Sequence, residues 1–171
     1  MNLFTPVTTF VFDVDGVLTD GTLFLLPDGN MVRRMNIKDG YALQLAIKKG
    51  YHVVIISGGY SELVIDRLKK LGITDIFMEV TDKKKVLSEY IVKRNIQWRE
   101  ILIMGDDIPD VEMMQQSGVV ACCPTDAVTE IKQISHYISP FNGGMGCVRD
   151  VIEKVMKLQN KWQHIKNVKS T

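Results

Sequence analysis

The segment FDVDGVLTDG, residues 12–21, continues the apolar run Thr8–Phe12 and contains two aspartates, Asp13 and Asp15, two positions apart. A short apolar run of this kind is typical of a buried strand. Gly16 directly follows the second aspartate and permits a sharp turn there. Aspartates are also common in ordinary turns, so this pair alone does not establish a function. What it predicts is a strand that ends in two carboxylates.

Strand-like and helix-like segments alternate along the rest of the chain. Further strands are predicted at His52–Ile56, Ile101–Met104 and Val119–Cys122. Helices are predicted at Tyr41–Lys49, Glu62–Leu71, Lys84–Arg94 and Cys147–Leu158. This alternation predicts an α/β fold, namely a doubly wound, mainly parallel, Rossmann-like sheet with helices on both faces.

The chain of 171 residues fits one domain, which we expect over residues 1–160, with a polar tail over 161–171. One stretch breaks the alternation: Thr22–Arg34, TLFLLPDGNMVRR, predicts a β-hairpin whose turn is Pro27-Asp28-Gly29. The glycine-rich stretch 141–146 is expected to be a loop before the last helix.

Polar side chains follow several predicted strands. Ser57 comes after one of them, and Asp106 and Asp107 in GDDIPD, residues 105–110, come after another. In a parallel sheet, ligands bind outside the carboxyl ends of the strands. Carboxylates that gather there with Asp13 repel one another unless a cation lies among them, and Mg²⁺ prefers such oxygen ligands. The sequence therefore predicts a magnesium site at this edge.

The same residues suit phosphoryl transfer. A strand-end carboxylate can attack phosphorus and form an aspartyl phosphate, and a second carboxylate can protonate the leaving alcohol and then activate water. Ser57 and the amides after it can hold phosphate oxygens, although a plain strand-to-helix turn has the same pattern. A lysine from the run Lys83–Lys85 can neutralise the transferred group. We interpret Lys84 and Lys85 as a solvated helix face.

Composition excludes several function classes. The net charge of +1 and the short basic run without interleaved aromatic residues argue against nucleic-acid and membrane partners. Three cysteines without a CxxC pair indicate reduced thiols in a cytoplasmic protein. No signal peptide or membrane-spanning run is expected. His52, His136 and His164 are read as residues without a ligand role, and Met113, Met114 and Met156 as packing residues.

Together, the pattern DxDGxxxDG, SG, Lys and GDDxxD across residues 13–110 resembles the haloacid dehalogenase superfamily. The resemblance implies that Asp13 is the nucleophile and Asp15 the general acid and base. It implies that magnesium is held by the Asp13 and Asp106 carboxylates and the Asp15 backbone carbonyl. The remaining implied roles are phosphate binding by Ser57, Gly58 and Lys83, and support of the site by Asp107 and Asp110.

Within the superfamily, the chain resembles the capless subgroup, with the hairpin in place of a cap domain. DVDGVLTDG, NIKDGYAL, SELVIDRLKKLGI, GDDIPD and GGMGCVRDVIEKVM resemble the branch that hydrolyses 3-deoxy-D-manno-octulosonate 8-phosphate in the supply of lipopolysaccharide. That likeness implies a homotetramer in which a neighbour's hairpin and the C-terminal tail help close the active site. Gly143, Gly144 and Gly146 would then be a flexible hinge for the tail, or simply a loop before a helix.

Some positions depart from that branch. Gly59 stands where the branch often has arginine, and Glu79 where it often has glycine. Lys38 and Arg67 match branch positions and can reach a substrate carboxylate, or they are solvent-facing charges. Two alternatives stay open: a phosphatase for 2-keto-3-deoxy-nononate 9-phosphate, and a catalytically silent oligomerisation module. The complete set of motif residues argues against the silent module.

Overall fold

The computed structural model describes residues 3–168, so residues 169–171 of the predicted tail lie outside it, as do residues 1 and 2. The strands are β1 Thr9–Phe12, β2 Phe24–Leu25, β3 Met31–Val32, β4 His52–Ile56, β5 Asp75–Phe77, β6 Ile101–Met104, β7 Val120–Cys123 and β8 Tyr137–Ile138. The helices are α1 Ile37–Lys48, α2 Glu62–Lys70, α3 Lys83–Arg94, α4 Val111–Met114, α5 Thr129–Ile134 and α6 Cys147–Leu158.

Six strands form one parallel sheet in the order β5-β4-β1-β6-β7-β8. Strand β1 is central, with Phe12 opposite Ile55 of β4 on one side and Met104 of β6 on the other. In chain order, β4 and then β5 are added on one side of β1. The chain then crosses to the other side of β1, where β6, β7 and β8 are added in turn. The strand order therefore reverses between β1 and β6, which is where ligands bind in open α/β sheets. The predicted doubly wound fold is confirmed.

Side chains alternate between the two faces of the sheet, as the pleat requires. On β1, Phe10 and Phe12 pack into the apolar cluster that contains α1, α2 and α6. Val11 between them packs into the cluster that contains α3, α4 and α5. Both faces are covered, which explains why the central strands are continuous apolar runs. Met113, Met114 and Met156 are buried in these clusters, as predicted.

Short polar side chains cap the starts of α1, α2 and α3. The Asn36 side chain accepts the Lys38 N–H, so α1 begins at Ile37, four residues before the predicted start. Ser61 caps α2 through the Val64 N–H, and Asp82 caps α3 through the Lys85 N–H. Asn95 ends α3 with a left-handed φ of 53°.

The hairpin formed by β2 and β3 lies within the predicted range Thr22–Arg34 and is antiparallel. It leaves large apolar side chains exposed, namely Leu23, Phe24, Leu25, Leu26 and Met31. Among residues 3–168, no inserted cap domain accompanies it. The same residues contain no helix that is long and apolar enough to cross a bilayer.

The end of the described chain folds back onto α1 and α6. The Trp162 ring centroid lies 6.2 Å from that of Tyr41 and 5.4 Å from the Arg149 guanidinium carbon. His164 Nδ1 lies 2.9 Å from the Tyr41 hydroxyl oxygen. These aromatic contacts attach residues 161–168 of the predicted polar tail to the domain.

The glycine-rich loop before α6 packs closely against the loop that follows β1. A Cβ atom on Gly143 would lie 2.0 Å from the Gly16 carbonyl oxygen, and the Gly144 N–H donates to the Val17 carbonyl at 2.9 Å. Gly146 precedes α6 with a φ of 110°. This geometry is a close backbone contact rather than the flexible hinge that the resemblance implied.

Candidate active site

The polar residues predicted from the motifs meet at the carboxyl edge of the sheet, at the reversal between β1 and β6. Asp13 directly follows β1, and Asp106 lies two residues after the end of β6. They border a cavity of about 330 Å³, a volume sufficient for a small phosphorylated ligand. Its lining residues are Asp13, Asp15, Gly21, Ser57, Gly58, Gly59, Lys83, Asp106, Asp107 and Pro109.

Lys83 joins two of the carboxylates. It is the first residue of α3 and is buried, and its Nζ lies 3.0 Å from Asp13 Oδ1 and 2.7 Å from Asp110 Oδ1. The other oxygen of Asp110 accepts the Asp106 backbone N–H at 3.1 Å. Asp110 is itself fully buried, so it aligns the lysine and the segment that carries Asp106.

The cavity shifts the pKa of its acids. Burial, followed by the charge of Asp110, raises the pKa of Asp13 to about 6, although Lys83 opposes the rise. Burial, with the charges of Asp13 and Asp110, raises the pKa of Asp106 to about 8. Burial alone would lower the pKa of Lys83, but Asp110 and Asp13 outweigh it and raise that pKa. The site therefore holds more negative charge than its lysine compensates.

A divalent cation fits this arrangement. Asp13, Asp106 and Asp110 each offer a carboxylate oxygen, and these atoms lie within 4.8 Å of one another. Asp106 Oδ1 is buried without a hydrogen-bond partner in residues 3–168, and Asp13 Oδ1 has only its ion pair with Lys83. Gly16, with a φ of 89°, leaves room for the Asp106 carboxylate, because a Cβ atom at position 16 would lie 2.0 Å from Asp106 Oδ2. Hard oxygen ligands of this kind suit Mg²⁺.

Asp15 faces the same cavity and is held by Arg33. The arginine Nε donates to Asp15 Oδ1 at 2.7 Å, and Nη2 donates to Oδ2 at 3.3 Å. Arg33 follows β3 directly, so the hairpin carries it to the site. Sequence reasoning missed this residue, since the resemblance assigns the hairpin that closes the site to a neighbouring chain and not to the same one. The two adjacent arginines at its end were the available signal.

Ser57, Gly58 and Gly59 form the turn after β4. Ser57 is buried, and its Oγ accepts the Gly59 N–H at 3.2 Å. The turn is fixed further by the Val80 N–H, which donates to the Ser57 carbonyl at 3.0 Å. These residues therefore line the cavity as a closed loop, with Gly59 next to Asp15. Asp107 lines the cavity rim, where its Oδ1 accepts the Ile108 N–H.

The two predicted sugar-contacting residues lie outside this cavity. Lys38 borders a separate cavity of about 520 Å³, which Tyr41, Arg149 and Trp162 also line. Arg67 lines a smaller space of about 220 Å³ between α2 and the hairpin, next to Arg33.

The histidines do not enter the site. His136 Nδ1 accepts the Ala121 N–H at 3.0 Å, and His52 begins β4. His164 contacts Tyr41. The three cysteines are free and buried.

Comparison with known proteins places the chain among phosphatases. The model of the haloacid dehalogenase-like hydrolase family matches residues 69–152. A 3-deoxy-D-manno-octulosonate 8-phosphate phosphatase from Yersinia pestis is 30% identical over 155 residues, which are 91% of this chain and 82% of the relative. The enzyme of the same name from Escherichia coli K12 is 30% identical over 94% of this chain and 85% of its own.

Solved structures agree with these relatives. The phosphatase of that name from Moraxella catarrhalis, in complex with magnesium, phosphate and KDO, superposes with a TM-score of 0.90 at 31% identity. The superposition covers 94% of this chain and 91% of the other. The Yersinia pestis structure superposes with a TM-score of 0.90 at 28% identity over 99% of this chain and 89% of its own.

Proposed function

The chain belongs to the haloacid dehalogenase-like hydrolases, as its motifs predict, and we propose that it is a magnesium-dependent phosphatase for 3-deoxy-D-manno-octulosonate 8-phosphate. The observation that carries the proposal is the convergence of Asp13, Asp15, Lys83 and Asp106 on one cavity at the strand reversal. Relatives named for this activity align with more than nine-tenths of the chain and support the choice of substrate.

In the first half-reaction, a carboxylate oxygen of Asp13 attacks the phosphorus, and the bond between phosphorus and the sugar oxygen breaks. Asp15 gives its proton to that sugar oxygen, which leaves as the alcohol. Lys83 lies 3.0 Å from Asp13 and brings positive charge to the place where the phosphoryl oxygens gather negative charge. Ser57 and Gly58, which line the same cavity, provide donors for the phosphate oxygens.

In the second half-reaction, water attacks the phosphorus of the aspartyl phosphate. The bond between Asp13 and phosphorus breaks, its electron pair returns to the carboxylate, and Asp15 accepts the proton of the water. One group thus serves as acid and then as base, which requires it to lie beside the nucleophile. Asp15 lines the same cavity as Asp13, two residues further along the chain.

Magnesium would be held by the Asp13 and Asp106 carboxylates together with the Asp15 backbone carbonyl. When bound, it neutralises the acidic cluster and the phosphate dianion, so the two can approach each other. Asp110 supports this site from behind, since Lys83 and the Asp106 N–H already occupy its two oxygens. Asp107 supports the rim.

Arg67 is the better placed of the two predicted sugar-contacting residues, since it lines the space beside Arg33. We propose that it attracts the carboxylate of the sugar acid. Lys38 lies on another cavity, so a contact with the substrate within the same chain is not proposed for it.

The test is phosphate release from the eight-carbon and nine-carbon sugar acid phosphates, side by side, with magnesium and with EDTA. We expect release from the eight-carbon ester with magnesium, and loss of release in EDTA that added magnesium restores. Preference for 2-keto-3-deoxy-nononate 9-phosphate would keep the mechanism and replace the substrate. Release from neither, or full activity in EDTA, would refute the proposal.

We also propose that the protein acts as a homotetramer in the cytoplasm, in the supply of lipopolysaccharide. The exposed apolar hairpin supports assembly, because side chains such as Phe24 and Leu25 are 55% and 76% exposed in the single chain. Light scattering should give four times the chain mass. A monomer with undiminished activity would rule out a site completed by a neighbour.

A further inference from the structure

Arg33 is an unusual charged residue for a hairpin. Its side chain is only 5% exposed, although the strand before it is largely solvated. Its neighbour Arg34 shows the ordinary case, with a side chain 60% exposed and an ion pair to Asp20 at 2.6 Å. An arginine is rarely buried unless its guanidinium has well-placed acceptors. For Arg33 the carboxylate acceptor is Asp15.

The contact between Arg33 and Asp15 is bidentate. Nε and Nη2 reach the two different oxygens of the carboxylate at 2.7 and 3.3 Å. The planar fork of the guanidinium fixes the rotation of the carboxylate as well as its position. Asp15 is thus held in one orientation at the edge of the cavity.

Gly59 lies directly beside this pair. A Cβ atom at position 59 would lie 3.1 Å from Asp15 Oδ2 and 3.5 Å from Arg33 Nη2. A side chain there would press on the carboxylate that the arginine holds. The absent side chain at 59 and the buried arginine at 33 are therefore two parts of one arrangement, contributed by separate segments.

We propose that Arg33 is a positioning residue that holds Asp15 as the base of the second half-reaction, in the space that Gly59 leaves free. This inference rests on the proposed phosphatase mechanism. When water attacks the aspartyl phosphate, its proton passes to the Asp15 oxygen that faces it, while the arginine keeps the carboxylate turned toward the phosphorus. The first half-reaction on an ester with a good leaving group does not need this arrangement, because the leaving oxygen departs without a proton.

The two half-reactions can be separated with p-nitrophenyl phosphate and rapid mixing. Release of p-nitrophenolate reports formation of the aspartyl phosphate, and release of inorganic phosphate reports its hydrolysis. For Arg33→Ala we expect the rate constant of aspartyl-phosphate hydrolysis to fall by about tenfold or more, because general base catalysis accelerates such a step by at least about that factor. The rate constant of formation should change by less than about threefold, so the aspartyl phosphate accumulates and a burst of p-nitrophenolate appears.

Three further variants test the assignment. Arg33→Lys keeps the charge without the fork and should recover part of the loss. Gly59→Ala adds a methyl group beside the same carboxylate and should also slow hydrolysis selectively. Arg34→Ala is the matched control, since it removes an exposed arginine from the same hairpin, and it should behave as the unaltered protein.

Equal loss at both steps for Arg33→Ala would mean that the arginine only supports the hairpin, and it would overturn the inference. No loss at either step would overturn it as well. The substrate proposal can fail separately. If the unaltered protein hydrolyses p-nitrophenyl phosphate but neither sugar acid phosphate, the proposed substrate is refuted, and the role of Arg33 can still be tested with p-nitrophenyl phosphate. An unaltered protein that forms no aspartyl phosphate refutes the covalent mechanism and the role of Arg33 together.

Discussion

Replacement of Asp106 by asparagine should make the metal-free protein more stable while removing its function. The folded pKa of Asp106 is about 8, against an ordinary value of 3.8. Between these values the folded chain retains a proton that the unfolded chain has released. The folded state then binds more protons, so the free energy of unfolding falls as the pH rises through this window. The asparagine side chain of the Asp106→Asn variant does not titrate and avoids this loss.

The size of the effect follows from the same shift. Each pKa unit corresponds to about 1.4 kcal/mol, and part of the shift is relieved by relaxation of the cavity. For Asp106→Asn at pH 7 in EDTA we expect a gain of at least about 2 kcal/mol in the free energy of unfolding. That gain corresponds to a melting temperature higher by about 4–8 °C for a chain of this size. It should increase from pH 5 to pH 8 and level off above.

The assay is thermal or urea unfolding of both proteins in EDTA at several pH values, repeated with saturating magnesium. Magnesium should stabilise the unaltered protein and leave the asparagine variant nearly unchanged, because a ligand stabilises only the state that binds it. Asp107→Asn is the control, since this neighbour is exposed, and it should shift stability by less than about 0.5 kcal/mol. A destabilised Asp106→Asn variant, or a gain that does not change with pH, would refute the reasoning.

Three other substitutions test separate parts of the structure. Asp13→Asn should abolish phosphate release while the protein stays folded, because an amide is a poor nucleophile; substantial turnover would remove Asp13 from its role. Glu79 has a left-handed φ of 56°, which strains the backbone of a residue that carries a Cβ atom. Glu79→Gly should therefore raise the free energy of unfolding by about 1 kcal/mol in urea titrations, and a loss of stability would show that this backbone is not strained. Gly143→Ala places a Cβ against the Gly16 carbonyl and should cost about 2 kcal/mol and reduce phosphate release; an unchanged melting temperature would show that the loop moves aside freely.

The central part of the fold could be predicted because its residues are buried on both faces. The strands His52–Ile56 and Ile101–Met104 are apolar except for the half-buried His52, and the structure has them at the predicted bounds. Strands at the sheet edge lack this signal. The β5 residues Asp75–Phe77 are only half-buried and include a charged residue, and β8 has two residues. Such segments become strands only through pairing with a neighbour, which a single chain segment does not reveal.

The candidate site shows the same division. The motif residues follow strands directly, so the direction of the parallel sheet brings Asp13, Ser57 and Asp106 to one edge. Arg33 could not be predicted this way, because its position depends on how the hairpin folds back over Asp15, 18 residues away in the chain. The close contact of Gly143 with Gly16 was also missed, since glycines in a loop suggest freedom of movement until their neighbours are known.

The central place of β1 in the sheet also determines the order in which the sheet and the site can form during synthesis. Phe12 pairs with Met104, so the carboxylate that follows β1 meets its partners only after about ninety further residues have been synthesised. Sheets with such long-range pairings fold slowly compared with structures built from local contacts. During translation, the half of the sheet formed by β1, β4 and β5 can assemble first, before the second group of aspartates leaves the ribosome. A chain that ends before Asp106 therefore lacks one ligand of the proposed metal site, and metal binding by the nascent protein would report that β6 and the segment after it have joined β1.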